Sequence, residues 1–235
     1  MRNMAVVGDF VNLTSKSDFA EVEAVNHGAC TVYETLAEAL LNVPSEQVLA
    51  DVCDVAHVFG VSEFDDELAD DALEQCYYNR MFVASHPCYV ALSESMVVPA
   101  GIVDGRVEYG SPAQGRRAQV VSCYKKVGFS HKSLEGFDLS IQSLKADSLA
   151  SELAFMAFLH HGAGEGAAHG DIAKMKTYHR LALHFLEQHL SAWAQKAAHL
   201  AAASGEDFYS RLCAFISQWV EADQQQLKIP QHSLL

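Results

Sequence analysis

Apolar residues recur every three or four positions along most of the chain, and this spacing restricts the fold more than any other feature of the sequence. In the clearest segment Leu149, Leu153 and Met156 share one stripe, and in the last segment Phe208 and Leu212 begin a similar stripe. Such spacing places apolar side chains on one face of an α-helix. The sequence therefore predicts an all-α protein, a helical bundle of about 8–11 helices in two packed parts.

Caps, prolines and glycines indicate where the predicted helices begin and end. Pro44 suits the first turn of a second helix, and Asp171 suits the N-cap of a later one. The glycine-rich segment 162–170 predicts a loop between helices, and the polar tail after Asp223 is predicted to fray. Helices are predicted at about 29–41, 44–56, 65–82, 112–127, 149–160, 171–190, 191–200 and 208–223.

Two less regular regions separate the predicted helices. Residues 84–111 contain prolines and glycines, and the Asp104-Gly105 pair predicts a small hairpin within this connection. Residues 130–145 are polar and predict a linker. We treat residues 1–235 as a single domain that consists of an N-terminal helical part of about 1–129, a hinge at 130–147 and a C-terminal helical part at 148–225.

The composition of the chain argues against several classes of function. The formal net charge is −14, and the basic patch that nucleic-acid binders require is absent from the sequence. An acidic surface repels anionic lipid and attracts a basic peptide or partner, although it also serves plain solubility. No apolar run reaches the length of a membrane span, and residues 1–11 do not resemble a secretory signal. We therefore expect a cytoplasmic protein without nucleic-acid binding or stable membrane association.

Sequence motifs for catalysis, metal binding or cofactor binding are absent. None of the 12 histidines lies four residues from another, and none of the 6 cysteines forms a C-x-x-C pair. Residues 162–167 match the loose G-x-G-x-x-A dinucleotide pattern, but they follow a predicted helix, whereas that motif must follow a strand. Glu152 and Asp147 are acids with no evident partner base. We expect no enzymatic activity, no metal and no cofactor.

Aromatic and acidic side chains cluster in and just before the long connection. Tyr78, Phe82, His86, Tyr89 and Glu94 could line a groove for an apolar peptide with a basic end. Each of them, taken singly, is also an ordinary core or surface residue. These patterns alone are compatible with a helical protein that binds a peptide.

Six segments occur in the order and at the spacing of a known protein family. They are 77–83 (YYNRMFV), 94–97 (ESMV), 123–129 (CYKKVGF), 147–156 (DSLASELAFM), 185–194 (FLEQHLSAWA) and 207–209 (DFY). Together they resemble the TorD/DmsD family of cytoplasmic chaperones for redox-enzyme maturation. The family has Pro-Asp-His where this chain has Ala146, Asp147 and Ser148, so the titratable histidine is replaced.

The resemblance implies a client and a binding site. The client would be a DMSO-reductase-type molybdopterin oxidoreductase with a twin-arginine signal peptide, held until its cofactor is inserted and before it is exported. The chain itself would be a monomer or a domain-swapped homodimer. Alternatives of another class are a helical protein that binds a small ligand or nucleotide, and a helical regulatory module. The residues expected to bind the signal peptide are Asp147, Ser148, Tyr78, Phe82, His86, Tyr89, Glu94 and Tyr124.

Asp147 has two alternative roles, which the sequence leaves open. It precedes the strongest predicted helix, so its carboxylate is placed to accept backbone N–H bonds as an N-cap. The resemblance implies instead that it faces a groove between the helical parts and binds an arginine of the peptide through a charge-assisted bond. Asn caps a helix nearly as well as Asp but carries no charge, so Asp147→Asn separates the two roles.

Overall fold

The computed structural model describes residues 16–113 and 115–228, and the expectations for residues 1–11 lie outside the described residues. Most of the described residues are helical, so the prediction of an all-α helical bundle is confirmed. In chain order the elements are α1 (Lys16–Leu41), α2 (Glu46–Val58), α3 (Asp71–Met81), α4 (Glu94–Val97), β1 (Gly101–Val103), β2 (Arg106–Glu108), α5 (Arg116–Val127), a 3₁₀ turn (His131–Ser133), α6 (Asp138–Ser143), α7 (Leu149–Ala168), α8 (Ile172–Phe185), a π-helical turn (Leu186–Leu190), α9 (Ser191–Ser204) and α10 (Phe208–Lys228).

The long helices pack around one apolar core. Helix α1 lies along α7, α7 also packs against α8, and α9 pairs with α10. Tyr33 and Leu36 of α1, Leu153 and Met156 of α7, and Trp193 of α9 are fully buried. Burial of each aliphatic side chain in this set, such as Leu36, stabilises the folded state by about 1.5–3 kcal/mol. The core includes residues from both sides of the predicted hinge, and the division of the chain into two parts stays a prediction.

The predicted hinge region is folded and is tied to neighbouring helices. It contains the 3₁₀ turn and α6. The Phe137 amide donates to the Leu41 carbonyl oxygen at 3.1 Å, and the hydroxyl groups of Tyr77 and Ser140 are hydrogen-bonded at 2.6 Å. These bonds connect the region between α5 and α7 to the end of α1 and to α3.

The prediction of a loop at residues 162–170 is wrong, because α7 continues to Ala168. Glycine here serves close packing between two helices. A Cβ on Gly166 would lie 2.7 Å from the Met175 backbone nitrogen, and a Cβ on Gly162 would lie 2.5 Å from the Tyr178 ring. The glycines therefore let α8 approach α7 closely. The G-x-G-x-x-A pattern lies inside a helix, where it forms no phosphate-binding loop.

Two other predicted boundaries are corrected by the structure. Helix α3 begins at Asp71 rather than at about residue 65 as predicted, because Asp70 is its N-cap and accepts from the Leu73 amide at 2.9 Å. The tail that is predicted to fray is helical as far as Lys228, and burial of Leu227 against the core explains why the helix persists. The hairpin predicted around residues 104–105 is present as β1 and β2.

Helices α8 and α9 are joined by the π-helical turn without a break in the helix. A π turn closes its hydrogen bonds over one more residue than an α-helix, and such turns are frequent at functional sites. Leu186, His189 and Leu190 of this turn are buried. The turn therefore carries a histidine into the interior of the bundle.

Candidate functional site

The segment before α7 lies beside the segment before α4, and this pairing builds the site. Ser93 and Ser148 form an isolated antiparallel bridge. The Glu94 amide donates to the Asp147 carbonyl oxygen at 2.8 Å. Two of the predicted carboxylates, which are far apart in the sequence, are thereby brought together.

Asp147 is fully buried and is paired with a residue of α5. Its Oδ1 accepts from Arg117 Nε at 2.6 Å, and its Oδ2 accepts from the Ser95 amide at 3.1 Å. Burial alone would raise the pKa of Asp147, but hydrogen bonds from Ser95 and Arg117 outweigh burial and lower it. The alternative in which Asp147 caps α7 is excluded, because the N-cap is Ser148, whose Oγ accepts from the Ser151 amide at 3.2 Å.

Glu94 is also fully buried and is held by two cations. Its Oε1 accepts from Arg116 Nη1 at 3.0 Å, and its Oε2 lies 3.1 Å from His189 Nδ1. Burial lowers the pKa of His189, but hydrogen bonds to Cys123 and Glu94 and the Glu94 charge raise it to about 9. His189 is therefore protonated at neutral pH and donates to Glu94.

Glu152 adds a third buried carboxyl group. Its Oε2 accepts from Trp193 Nε1 at 2.9 Å, while its Oε1 has no hydrogen-bond partner among the described residues. Burial, followed by the charge of Glu94, raises the pKa of Glu152 well above its usual range, so the protonated form is favoured. We refer to Glu94, Asp147 and Glu152 as the carboxylate cluster.

Tyr124 fixes the backbone next to the cluster from inside the core. Its hydroxyl donates to the Ala146 carbonyl oxygen at 2.7 Å, and its ring packs against Phe129 and Phe155. Its side chain is buried. Tyr124 therefore positions the residue that precedes Asp147 and does not present its ring at the surface.

An open pocket of about 180 Å³, which we call the hinge pocket, lies next to the carboxylate cluster. Its walls come from the ends of α1 and α3, the connection before α4, α6 and the start of α7. Three predicted site residues, Phe82, Tyr89 and Ser148, line it together with Leu92 and Ser93. Ser93 precedes Glu94 and Ser148 follows Asp147, so the pocket and the cluster are built on the same pair of segments, although no side chain of the cluster lines the pocket.

The remaining predicted residues, Tyr78 and His86, do not line the hinge pocket. The Tyr78 ring packs against Phe82 and Phe137, so it supports one wall of the pocket. His86 Nδ1 accepts from the Cys88 amide at 3.2 Å in the turn after α3. Their predicted contacts with a peptide stay a prediction.

The sequence patterns do not reveal the cations of the site. Arg116, Arg117 and His189 all contact the carboxylate cluster. Two adjacent arginines in a strongly acidic chain are a usable signal for the first two. His189 offers no comparable signal, because its approach to Glu94 depends on the π-helical turn and on a contact between distant parts of the chain.

A second cavity, of about 500 Å³, lies between α1, α2 and α10, and no predicted site residue lines it. Its walls are mainly apolar and include Phe59 and Trp219. Asp223 Oδ2 accepts from the Tyr33 hydroxyl at 2.7 Å and lies 3.1 Å from His160 Nε2. Of the two acidic residues in its lining, Asp54 and Asp223, the buried Asp223 is thus already paired with residues of the protein.

Neither a metal-binding group nor a membrane-spanning helix occurs in the described parts of the chain. There, no group of three or more His, Cys, Asp or Glu side chains is arranged to hold a metal ion. No helix in those parts combines the length and the apolar character needed to cross a bilayer.

A family model described as nitrate reductase delta subunit matches residues 31–199. This region covers more than half of the chain and contains the whole carboxylate cluster and the residues that line the hinge pocket. Searches among curated proteins and among solved structures found no match.

Proposed function

Since this chain belongs to the nitrate reductase delta subunit family, a family of chaperones for molybdoenzyme maturation, we propose that it binds the twin-arginine signal peptide of a DMSO-reductase-type molybdopterin oxidoreductase. The family match confirms the resemblance to TorD/DmsD-type maturation chaperones. Such chaperones assemble enzymes and are not catalysts. In this proposal the protein holds the peptide, or the apoenzyme, in the cytoplasm until the cofactor is inserted and before export.

The observation that carries the proposal is the pairing of the segments 93–94 and 147–148, which supply lining residues of the hinge pocket and two acids of the carboxylate cluster. A twin-arginine signal has a cationic region followed by an apolar one. Glu94 and Asp147 supply adjacent anionic groups, and Phe82, Tyr89 and Leu92 supply apolar surface beside them. Charge-assisted bonds between arginine and carboxylate add both strength and specificity. The two regions of the peptide therefore have complementary groups on the same pair of segments.

The overall charge of the chain supports the same kind of partner. A net charge of −14 attracts a cationic peptide and increases its rate of encounter. Among the described residues no group of three or more His, Cys, Asp or Glu side chains is arranged to hold a metal ion, and the glycine-rich pattern lies inside a helix rather than in a phosphate-binding loop. We therefore propose that the protein recognises a segment that has a basic part and an apolar part.

The proposal is tested by calorimetric titration with a twin-arginine signal peptide and with the same peptide carrying two lysines. The arginine peptide should bind more tightly, because lysine lacks the planar fork that matches a carboxylate. Asp147→Asn should weaken binding about 10- to 100-fold, which corresponds to a charge-assisted bond of about 1.5–3 kcal/mol. Asp171→Asn is the matched control, since Asp171 caps α8 outside the cluster and Asn caps nearly as well.

The melting temperature of each variant is measured beside its affinity, because Asp147 is also part of a buried ion pair. Equal affinity for the two peptides would contradict the proposed recognition of arginine. The same loss of affinity in both variants would mean that Asp147 has no special part in binding.

A further inference from the structure

Helix α5 begins at Arg116 and Arg117, later than residue 112, where the sequence predicts its start. Gly115 precedes them with a φ of +93°, a left-handed conformation that favours glycine. The chain then places both guanidinium groups on the carboxylate cluster, Arg116 on Glu94 and Arg117 on Asp147. The protein thus contains a twin-arginine pair of its own, bound to the two carboxylates that we assign to the signal peptide.

The two arginines cover the two carboxylates. The side chains of Glu94 and Asp147 have no exposed surface, whereas those of Arg116 and Arg117 are 35% and 51% exposed. Removal of Arg117 without a replacement would leave the buried Asp147 charge without its ion-pair partner, which is strongly unfavourable, whereas removal of Arg116 would leave Glu94 with His189 alone. A second arginine pair from outside would satisfy the same carboxylates, so an exchange of one pair for another avoids that penalty.

The first turn of α5 has few attachments apart from these ion pairs. Residues 117–119 are exposed, and Val120 and Tyr124, the buried residues of the helix, lie beyond the first turn. Arg116 also donates a long bond of 3.3 Å to the Gln188 carbonyl oxygen. The first turn can therefore move away from the cluster without exposing the apolar core.

The cluster also has hydrogen-bonding capacity that the described residues leave unused. Glu152 Oε1 and Ser93 Oγ are buried, and neither has a partner among the described residues. Buried polar atoms in folded proteins are almost always paired. Glu152 interacts electrostatically with Glu94, and Ser93 lines the hinge pocket. Ser93 Oγ could accept from a donor that arrives from outside, such as a guanidinium group, and Glu152 Oε1 could do so once Glu152 is ionised.

We propose that Arg116 and Arg117 are an internal substitute for the arginine pair of the signal peptide and occupy its carboxylate site until the peptide displaces them. This inference rests on the proposed function and adds selectivity to it. A peptide with a single arginine replaces only one of the two internal arginines, and the other carboxylate would lose its arginine partner when the first turn moves away. A peptide with adjacent arginines completes the exchange, so the internal pair excludes other cationic chains.

The test compares two double variants of α5 in titrations with the twin-arginine peptide. Arg116→Gln with Arg117→Gln removes the internal pair, and Lys125→Gln with Lys126→Gln removes the same charge from the exposed, opposite end of the helix. The arginine variant should bind the peptide about tenfold more tightly than the wild type, because no competitor has to leave the site. The lysine variant should bind like the wild type.

If the wild type binds the peptide and the arginine variant binds it equally or more weakly, this inference is overturned. The proposed function would still stand in that case. Failure of the wild type and both variants to bind the peptide would overturn both. Thermal unfolding gives a supporting measurement, since the peptide should raise the melting temperature of the arginine variant more than that of the wild type.

Hydrogen exchange on the wild type provides a measurement that does not depend on the variants. The Gln119 amide donates to the Gly115 carbonyl oxygen at 3.0 Å and closes the first turn of α5. Displacement of the internal arginines should open this turn, so exchange in the segment 115–121 should become faster when the peptide is bound. Unchanged or slower exchange there would overturn the inference.

Discussion

Alanine substitutions in α7 test whether close packing against α8 is the reason for its glycines. Alanine at position 164 would place its Cβ 3.5 Å from Asn26 Cβ, which is ordinary van der Waals contact. Alanine at position 166 would place its Cβ 2.7 Å from the Met175 backbone nitrogen and 3.0 Å from Met175 Cα. Gly164→Ala and Gly166→Ala are therefore a matched pair within one helix.

The two variants should change stability in opposite directions. Alanine inside a helix is favoured over glycine by about 0.5–1 kcal/mol, so Gly164→Ala should raise the free energy of unfolding by that amount. At Gly166 the obstructing atoms are backbone, which cannot rotate away, and overpacking costs about 1–3 kcal/mol. The net result for Gly166→Ala is a loss of up to about 2 kcal/mol. Each kcal/mol shifts the melting temperature of a chain of this size by about 2–4 °C.

Scanning calorimetry and urea unfolding measure both effects. Gly164→Ala should melt about 1–4 °C above the wild type, and Gly166→Ala should melt several degrees below it. Gly162→Ala should lie between them, because the half-buried Tyr178 ring can turn aside. If Gly166→Ala stabilised the protein as much as Gly164→Ala, close approach of α8 would not be the reason for glycine at this position.

Two further predictions concern buried cations. The pKa of His189 is about 9 in the folded protein and 6.5 ordinarily, so its contribution to stability is complete below about pH 6.5 and is lost as the pH rises through 9. The free energy of unfolding of the wild type should fall by roughly 3 kcal/mol across this range, and His189→Gln should abolish the fall. A wild-type free energy of unfolding that stays constant across the range would contradict the raised pKa of His189. Arg80→Met should cost about 3 kcal/mol in urea unfolding, because it leaves Asp207 and three carbonyl oxygens without their donor. A loss within the error of the method would mean that this buried guanidinium is dispensable.

The helices and the hairpin are predictable from the sequence because their signals are local. Asp171 caps α8 as predicted and accepts from the Lys174 amide at 2.9 Å. The hairpin turns at Asp104 and Gly105, both of which have positive φ. The local pattern mispredicts the structure at Gly166, because glycine there allows close packing against another helix instead of forming a loop.

The site is predictable only in part, because its contacts join distant positions. Glu94 is found from the cluster of aromatic and acidic residues and Asp147 through the resemblance to a family, but neither signal reveals their partners. His189 lies 95 positions from Glu94, and Arg117 lies 30 positions from Asp147. No periodicity or cap links such residues, so only the folded structure shows that the carboxylates are already occupied.

The pairing of α1 with α7 has a consequence for the synthesis of this protein. Leu149 follows Leu41 by 108 residues, so a ribosome completes α1 long before the helix that covers it exists. Tyr33 and Leu36 must stay uncovered by α7 during that interval. Contacts over such long separations form slowly, and uncovered apolar faces promote aggregation. Tyr33 and Leu36 would therefore need protection from aggregation until α7 has been made.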